Sequence, residues 1–121
     1  MNHPARRPMG SLEDDVMAYL WAIDKGAASA VHQAVAPDLA YTTVTTVLSR
    51  LYEKGRVERT RRGRSYLYSP VRSEAEHRAD TMTTTLGAAA DRAAVLSRFV
   101  DALNAKDVAV LRDLLDEDQD S

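Results

Sequence analysis

The chain has 121 residues, of which 45% are hydrophobic and 28% charged, with a formal net charge of −2 and no cysteine. This is an ordinary globular composition with room for one compact domain and a helical appendage. The absence of cysteine removes disulfides, thiolate metal sites and cysteine nucleophiles together and fits a reducing cytoplasm, and no apolar run approaches the ~20 residues that span a bilayer, so no membrane insertion is expected.

Residues 1–10 read as a flexible N-terminal arm. The opening MNHPARRPMG carries a basic pair with no apolar stretch behind it, which is not the pattern of a secretory signal. Ser11 and Asp14 resemble a capping box. Leu12, Val16, Tyr19, Leu20 and Ile23 then recur at helical spacing, so a first helix should run to about Ile23, with Gly26 as its breaker. A short second helix, about Ser29 to Ala36, turns Val31 and Val35 inward and stops before Pro37.

The third helix, Tyr41 to Lys54, has the clearest pattern. Val44, Val47, Leu48 and Leu51 form a stripe at i, i+3, i+4, i+7, and Thr42, Thr45, Thr46, Ser49 and Arg50 fall opposite. Gly55 suits the left-handed residue that closes it. The period then changes from helix to strand. Val57–Arg61 and Arg64–Ser69 flank Arg62-Gly63, which predicts two short strands joined by a tight turn. Beyond Pro70 the pattern is helical again. Ser73 and Glu76 form a capping box before Ala75, Ala79, Met82 and Leu86, Gly87 marks a bend, and Val95 to Leu103 marks a further helix. Asn104 with Asp107 caps a last one, and the tail 117–121 should be disordered.

Three short helices followed by a hairpin is the order of a winged helix-turn-helix, in which the third helix enters the major groove. The fold class expected is mostly α with a small β-hairpin wing, followed by a helical arm. Thr42, Thr43, Thr45 and Thr46 are poor helix formers, a choice that packing does not explain. Their hydroxyls can donate or accept, and their methyls can touch thymine. Shielding of the helix flank is the plainer alternative for Thr43 and Thr46.

The net charge conceals a split. Residues 1–72 hold eleven Lys/Arg against seven Asp/Glu, or +4; residues 73–121 hold five against eleven, or −6. Arg50, Lys54, Arg56, Arg59, Arg61, Arg62 and Arg64 fall within fifteen residues. A solvated face would also carry such a run. Together with the threonine face, however, it places Arg50, Arg59, Arg61, Arg62 and Arg64 as contacts to DNA, where each neutralised phosphate releases counterions.

The segments LEDDVMAYLW and LAYTTVTTVLSRLYEKGRVERTRRGRSYLYSPV resemble the penicillinase-repressor (BlaI/MecI/CopY) family of winged-helix transcriptional regulators. The resemblance is close over residues 11–72 and looser to about Asp116, through VLSRFVDAL and DVAVLRDLL. It implies a homodimer that binds a palindromic operator and represses transcription in the cytoplasm. It also implies a winged domain at 11–72 and dimerisation through the helices of 73–116. Leu96, Phe99, Val100, Leu103, Leu111 and Leu115 would then be buried between protomers, although an intrachain core would use the same stripe. Copper-responsive members carry a cysteine-rich motif, which this chain lacks. Members controlled by a membrane sensor-protease are cut at an Asn-Phe bond. The matching bond here is Arg98-Phe99, where Phe99 agrees with the family and Arg98 does not.

An enzyme is not expected. His3, His32 and His77 are scattered, and neither a phosphate-cradling glycine loop nor a nucleophile elbow is present, so no catalytic residue, metal or cofactor is assigned. Two alternatives stay open. One is a winged helix used for protein contacts, and the other a regulator that senses a small ligand directly, with Gly87 to Ala90 lining its pocket.

Overall fold

The computed structural model describes residues 9–120, so residues 1–8 of the expected arm and Ser121 of the expected tail lie outside the described residues. The elements run α1 (Met9–Ile23), β1 (Gly26–Ala27), α2 (Ala28–Val35), α3 (Tyr41–Glu53), β2 (Val57–Arg62), β3 (Ser65–Pro70), α4 (Glu74–Gly87), α5 (Arg92–Ala102) and α6 (Ala105–Asp120). This is the winged helix-turn-helix order followed by three helices, the fold class expected.

The chain divides into two compact units between His77 and Arg78. In the first, α1 contributes Leu12, Val16, Met17 and Leu20 to the core, and α2 contributes Val31. The predicted stripe of α3, Val44, Val47, Leu48 and Leu51, is fully buried, and Val57 and Tyr68 close the core from the sheet. Gly55 and Gly63 take left-handed backbone, φ 75° and 62°, where a side chain would be strained. They close α3 and turn the hairpin respectively. The hairpin pairs antiparallel from Val57↔Pro70 to Arg62↔Ser65.

The wing is a three-stranded sheet of order β1-β3-β2, and the sequence pattern does not contain its first strand. Gly26 does not stop α1. Asp24, at φ 77°, ends the helix in the left-handed region that a short polar side chain tolerates, and Gly26 pairs with Tyr68 as part of β1. Nor does Ser11 cap α1, which takes in Met9 and Gly10 of the segment expected as an arm. Leu12 and Glu13 are both buried, so packing holds this first turn in place of a side-chain cap.

The first turn of α4 belongs with the winged unit, so the division falls later than the expected boundary at residue 72. Trp21 Nε1 donates to the Arg72 carbonyl at 3.0 Å, and its ring lies 5.4 Å from that of His77. The expected box at α4 is formed reciprocally: Ser73 N–H donates to Glu76 Oε1 at 3.0 Å, and Glu76 N–H donates to Ser73 Oγ at 3.1 Å.

The second unit holds the rest of α4 together with α5 and α6. Asp91 accepts from Ala94 N–H to cap α5, and Asn104 accepts from Asp107 N–H at 2.8 Å to open α6. α6 continues through Glu117 to Asp120, where a disordered tail was expected, because extending an existing helix needs no new nucleus. Among the described residues from Arg78 onward, none is buried. An apolar hollow of about 440 Å³ between α4 and α5 is lined by Met82, Leu86, Val95, Leu96 and Phe99. No helix among the described residues is long and apolar enough to cross a membrane.

Candidate nucleic-acid interface

With its apolar stripe buried, α3 turns Thr42, Thr46, Ser49 and Arg50 to the surface, while Thr43 and Thr45 are half-buried at its flanks. Thr45 and Thr46 both donate their hydroxyls to the Thr42 carbonyl, at 3.0 and 2.8 Å. Their donor hydrogens are thus used within the helix. Their remaining lone pairs can only accept, a capacity that matches the exocyclic amino groups of adenine or cytosine.

α2 and the turn before α3 set the entry of this helix. His32 Nε2 donates to the Leu39 carbonyl at 2.7 Å, and its ring meets Tyr41 edge-on at 5.7 Å. That bond gives His32 a packing role at the helix-turn-helix corner.

The seven basic residues read from the sequence as one cluster fall into two groups. Lys54 Nζ donates to both carboxylate oxygens of Glu13, at 2.9 and 3.2 Å, and Arg56 lies 3.8 Å from the same carboxylate. Glu13 is only 5% exposed, and a buried carboxylate needs such partners. Arg56 Nη2 also donates to His77 Nε2 at 2.6 Å, which makes that nitrogen the acceptor, and its Nε is buried without a hydrogen-bond partner among the described residues. These two cations are engaged inside the winged unit.

Arg59 is engaged as well. Its guanidinium carbon sits 4.0 Å from the ring centre of Tyr52 and 4.4 Å from that of Tyr66. Arg61, Arg62 and Arg64 are exposed on the hairpin, and Arg50 is exposed on α3. Arg61 bends back to donate Nε–H to the Gly63 carbonyl at 3.2 Å. The outward charge is therefore carried by Arg50 on α3 and by Arg61, Arg62 and Arg64 on the hairpin. Sequence reasoning gave Tyr52 no part in this surface. An aromatic residue beside a basic run was the available signal, but its partner is set by the hairpin's approach to α3.

On the arm, Leu96, Phe99, Val100, Leu111 and Leu115 are all exposed within their own unit, and Leu103 is half-buried. Arg98 and Phe99 are both exposed on α5.

Residues 9–117 match the family described as penicillinase repressor. The chain is 39% identical over 115 residues to the transcriptional regulator BlaI of Mycobacterium tuberculosis (strain CDC 1551 / Oshkosh), covering 90% of this chain and 83% of that protein. The same identity and coverage hold for the BlaI regulator of strain H37Rv. Among solved structures, the DNA-binding domain of the repressor BlaI superposes with a TM-score of 0.50 at 23% identity, over 63% of this chain and 93% of that one. A complex structure of hsRosR-S4 gives a TM-score of 0.50 at 21% identity, over 88% of this chain and 95% of that one. At these identities the two structures speak to the fold alone.

Proposed function

The chain belongs to the penicillinase repressor family, and from that premise we propose that it acts as a homodimer that binds a palindromic operator and represses transcription beside it. The observation that carries the proposal is the outer face of α3. Thr42, Thr46, Ser49 and Arg50 stand exposed over a fully buried stripe, and the wing adds the exposed Arg61, Arg62 and Arg64. A helix of this width fits the major groove, and short side chains allow close approach to base edges.

The arm supports the second part of the proposal. Its apolar residues have no core within their own unit, and a second copy pairing isologously through Leu96, Phe99, Val100, Leu103, Leu111 and Leu115 would cover them. Such a dimer presents two copies of α3, and two-fold pairing is what makes an operator palindromic. Within the same proposal, Arg98–Phe99 is the bond at which a sensor protease would end repression. A cut there removes the rest of the seam, and each half-site must then be bound independently. A repressor of this kind works in the cytoplasm, without enzymatic activity or a cofactor.

The proposal is tested by selecting bound fragments from the genomic DNA of the host. It requires that the enriched fragments share an inverted repeat whose half-sites lie one helical turn or a multiple apart. Enrichment of one unrepeated half-site would remove the dimeric operator, and no enrichment over random fragments would remove sequence recognition.

A further inference from the structure

The hairpin of the wing has little beneath it. Val57 and Tyr68 are the last buried residues of its two strands, and Thr60, Arg61, Arg62, Gly63, Arg64 and Ser65 are all exposed. A two-stranded ribbon without a packed face is marginal in water. Something at its base must hold it if its arginines are to meet a duplex in one arrangement.

Arg59 stands at that boundary. Strand alternation puts it on the same face as buried Val57, and its register partner is buried Tyr68. Its guanidinium lies between the ring of Tyr52, from the last turn of α3, and the ring of Tyr66, from β3. Tyr66 itself is half-buried and packs against the core, with its ring 6.4 Å from that of Tyr68. A planar cation between two aromatic faces is favourable in a way that a lysine ammonium cannot reproduce at the same geometry.

We infer that Arg59 is a positioning residue: held between Tyr52 and Tyr66, it fixes the wing against the C-terminal turn of α3, so that Arg61, Arg62 and Arg64 meet the duplex already ordered. The inference rests on the DNA-binding reading above and removes Arg59 from the phosphate contacts assigned from sequence. A wing released from α3 would have to be ordered on binding, which lowers affinity without changing the number of phosphates neutralised.

The test compares Arg59→Lys, Arg59→Ala, Tyr52→Leu and Tyr52→Phe in the full chain. Arg59→Lys and Tyr52→Leu should each weaken operator and random-duplex binding about fivefold, with Tyr52→Phe retaining the parent affinity. The slope of log affinity against log salt should equal the parent's in every variant, including Arg59→Ala. Combining Arg59→Lys with Tyr52→Leu should cost no more than either alone. In the free protein, amide ¹⁵N relaxation should show residues 61–65 more mobile in Arg59→Lys, with α1–α3 unchanged, which a general loss of fold would not produce. The inference is overturned if Arg59→Lys binds as the parent while Arg59→Ala flattens the slope by about 1.8, the mark of one lost phosphate contact in each protomer. Losses that multiply in the double variant would overturn it as well. A parent that binds no duplex would sink the DNA-binding reading, while an immobile wing in Arg59→Lys would sink the clamp whatever the DNA result.

Discussion

Leu48 of α3 and Phe99 of α5 are both apolar residues of amphipathic helices, yet Leu48 is fully buried within its own unit and Phe99 is 41% exposed in its own. The contrast holds across the two units. Every buried apolar residue of the described chain lies between Leu12 and Tyr68, and none lies in the arm. Helices of this length are marginal alone and take most of their stability from packing of the apolar face. The winged unit finds that packing internally, whereas the apolar faces of the arm are left uncovered within their own unit. Under the proposed dimer, one unit holds a surface rigid and the other is completed by its copy in the second protomer.

The largest expected effect separates the two units outright. Phe99→Asp would place a charge in each half of the proposed seam, at a cost of several kcal/mol to the dimer. Sedimentation should then find a monomer. Hydrogen exchange should show fast amides in α5 and α6, while those of α1–α3 keep their protection. A variant still dimeric at micromolar concentration would place the seam elsewhere.

A smaller effect sharpens the division within the basic cluster. If Arg50, Arg61, Arg62 and Arg64 each touch one phosphate per protomer, the parent dimer should show a salt slope of about −7. Replacing Arg61, Arg62 and Arg64 with Ala should flatten that slope by about 0.9 for each lost contact, on operator and random duplex alike. An unchanged slope would remove the wing from the interface.

The smallest effect lies where the two units join. The Glu76 carboxyl is held below the usual carboxylate range, chiefly by the Ser73 backbone N–H, then by the Ser73 side chain, with Arg72 adding to it. A depressed folded value means that the cap's contribution is present above the ordinary glutamate range and fades as pH falls through the lowered value. The Ser73 amide shift should follow that titration, and Glu76→Gln should abolish it. A midpoint at the ordinary glutamate value would show that the box is not formed.

Much of this was legible in the residues because it is periodic or local. The stripe at 44, 47, 48 and 51, the left-handed glycines at 55 and 63, and the caps at Ser73 and Asn104 each depend on neighbours within a turn or two. Strand β1 was not, since two residues carry no period. Nor was the division of the basic cluster. Lys54 and Arg56 are engaged because Glu13, distant in sequence, lies buried beside them, and Arg59 because the hairpin folds onto Tyr52. A run of arginines in a sequence displays charge, but which of them face outward is decided by tertiary contacts.

The claim that α3 reads bases is tested most directly by replacing Thr42 and Thr46, its exposed threonines, with Ala and measuring affinity for operator and random duplex side by side. Ala is the better helix former, and the side-chain bond to the Thr42 carbonyl contributes little to the helix, so folding stability should hold. Operator affinity should fall by about 1–3 kcal/mol for each lost base contact, with random-duplex affinity unchanged. If both variants bind operator and random duplex as the parent does, these threonines read no bases, and α3 is not the recognition helix.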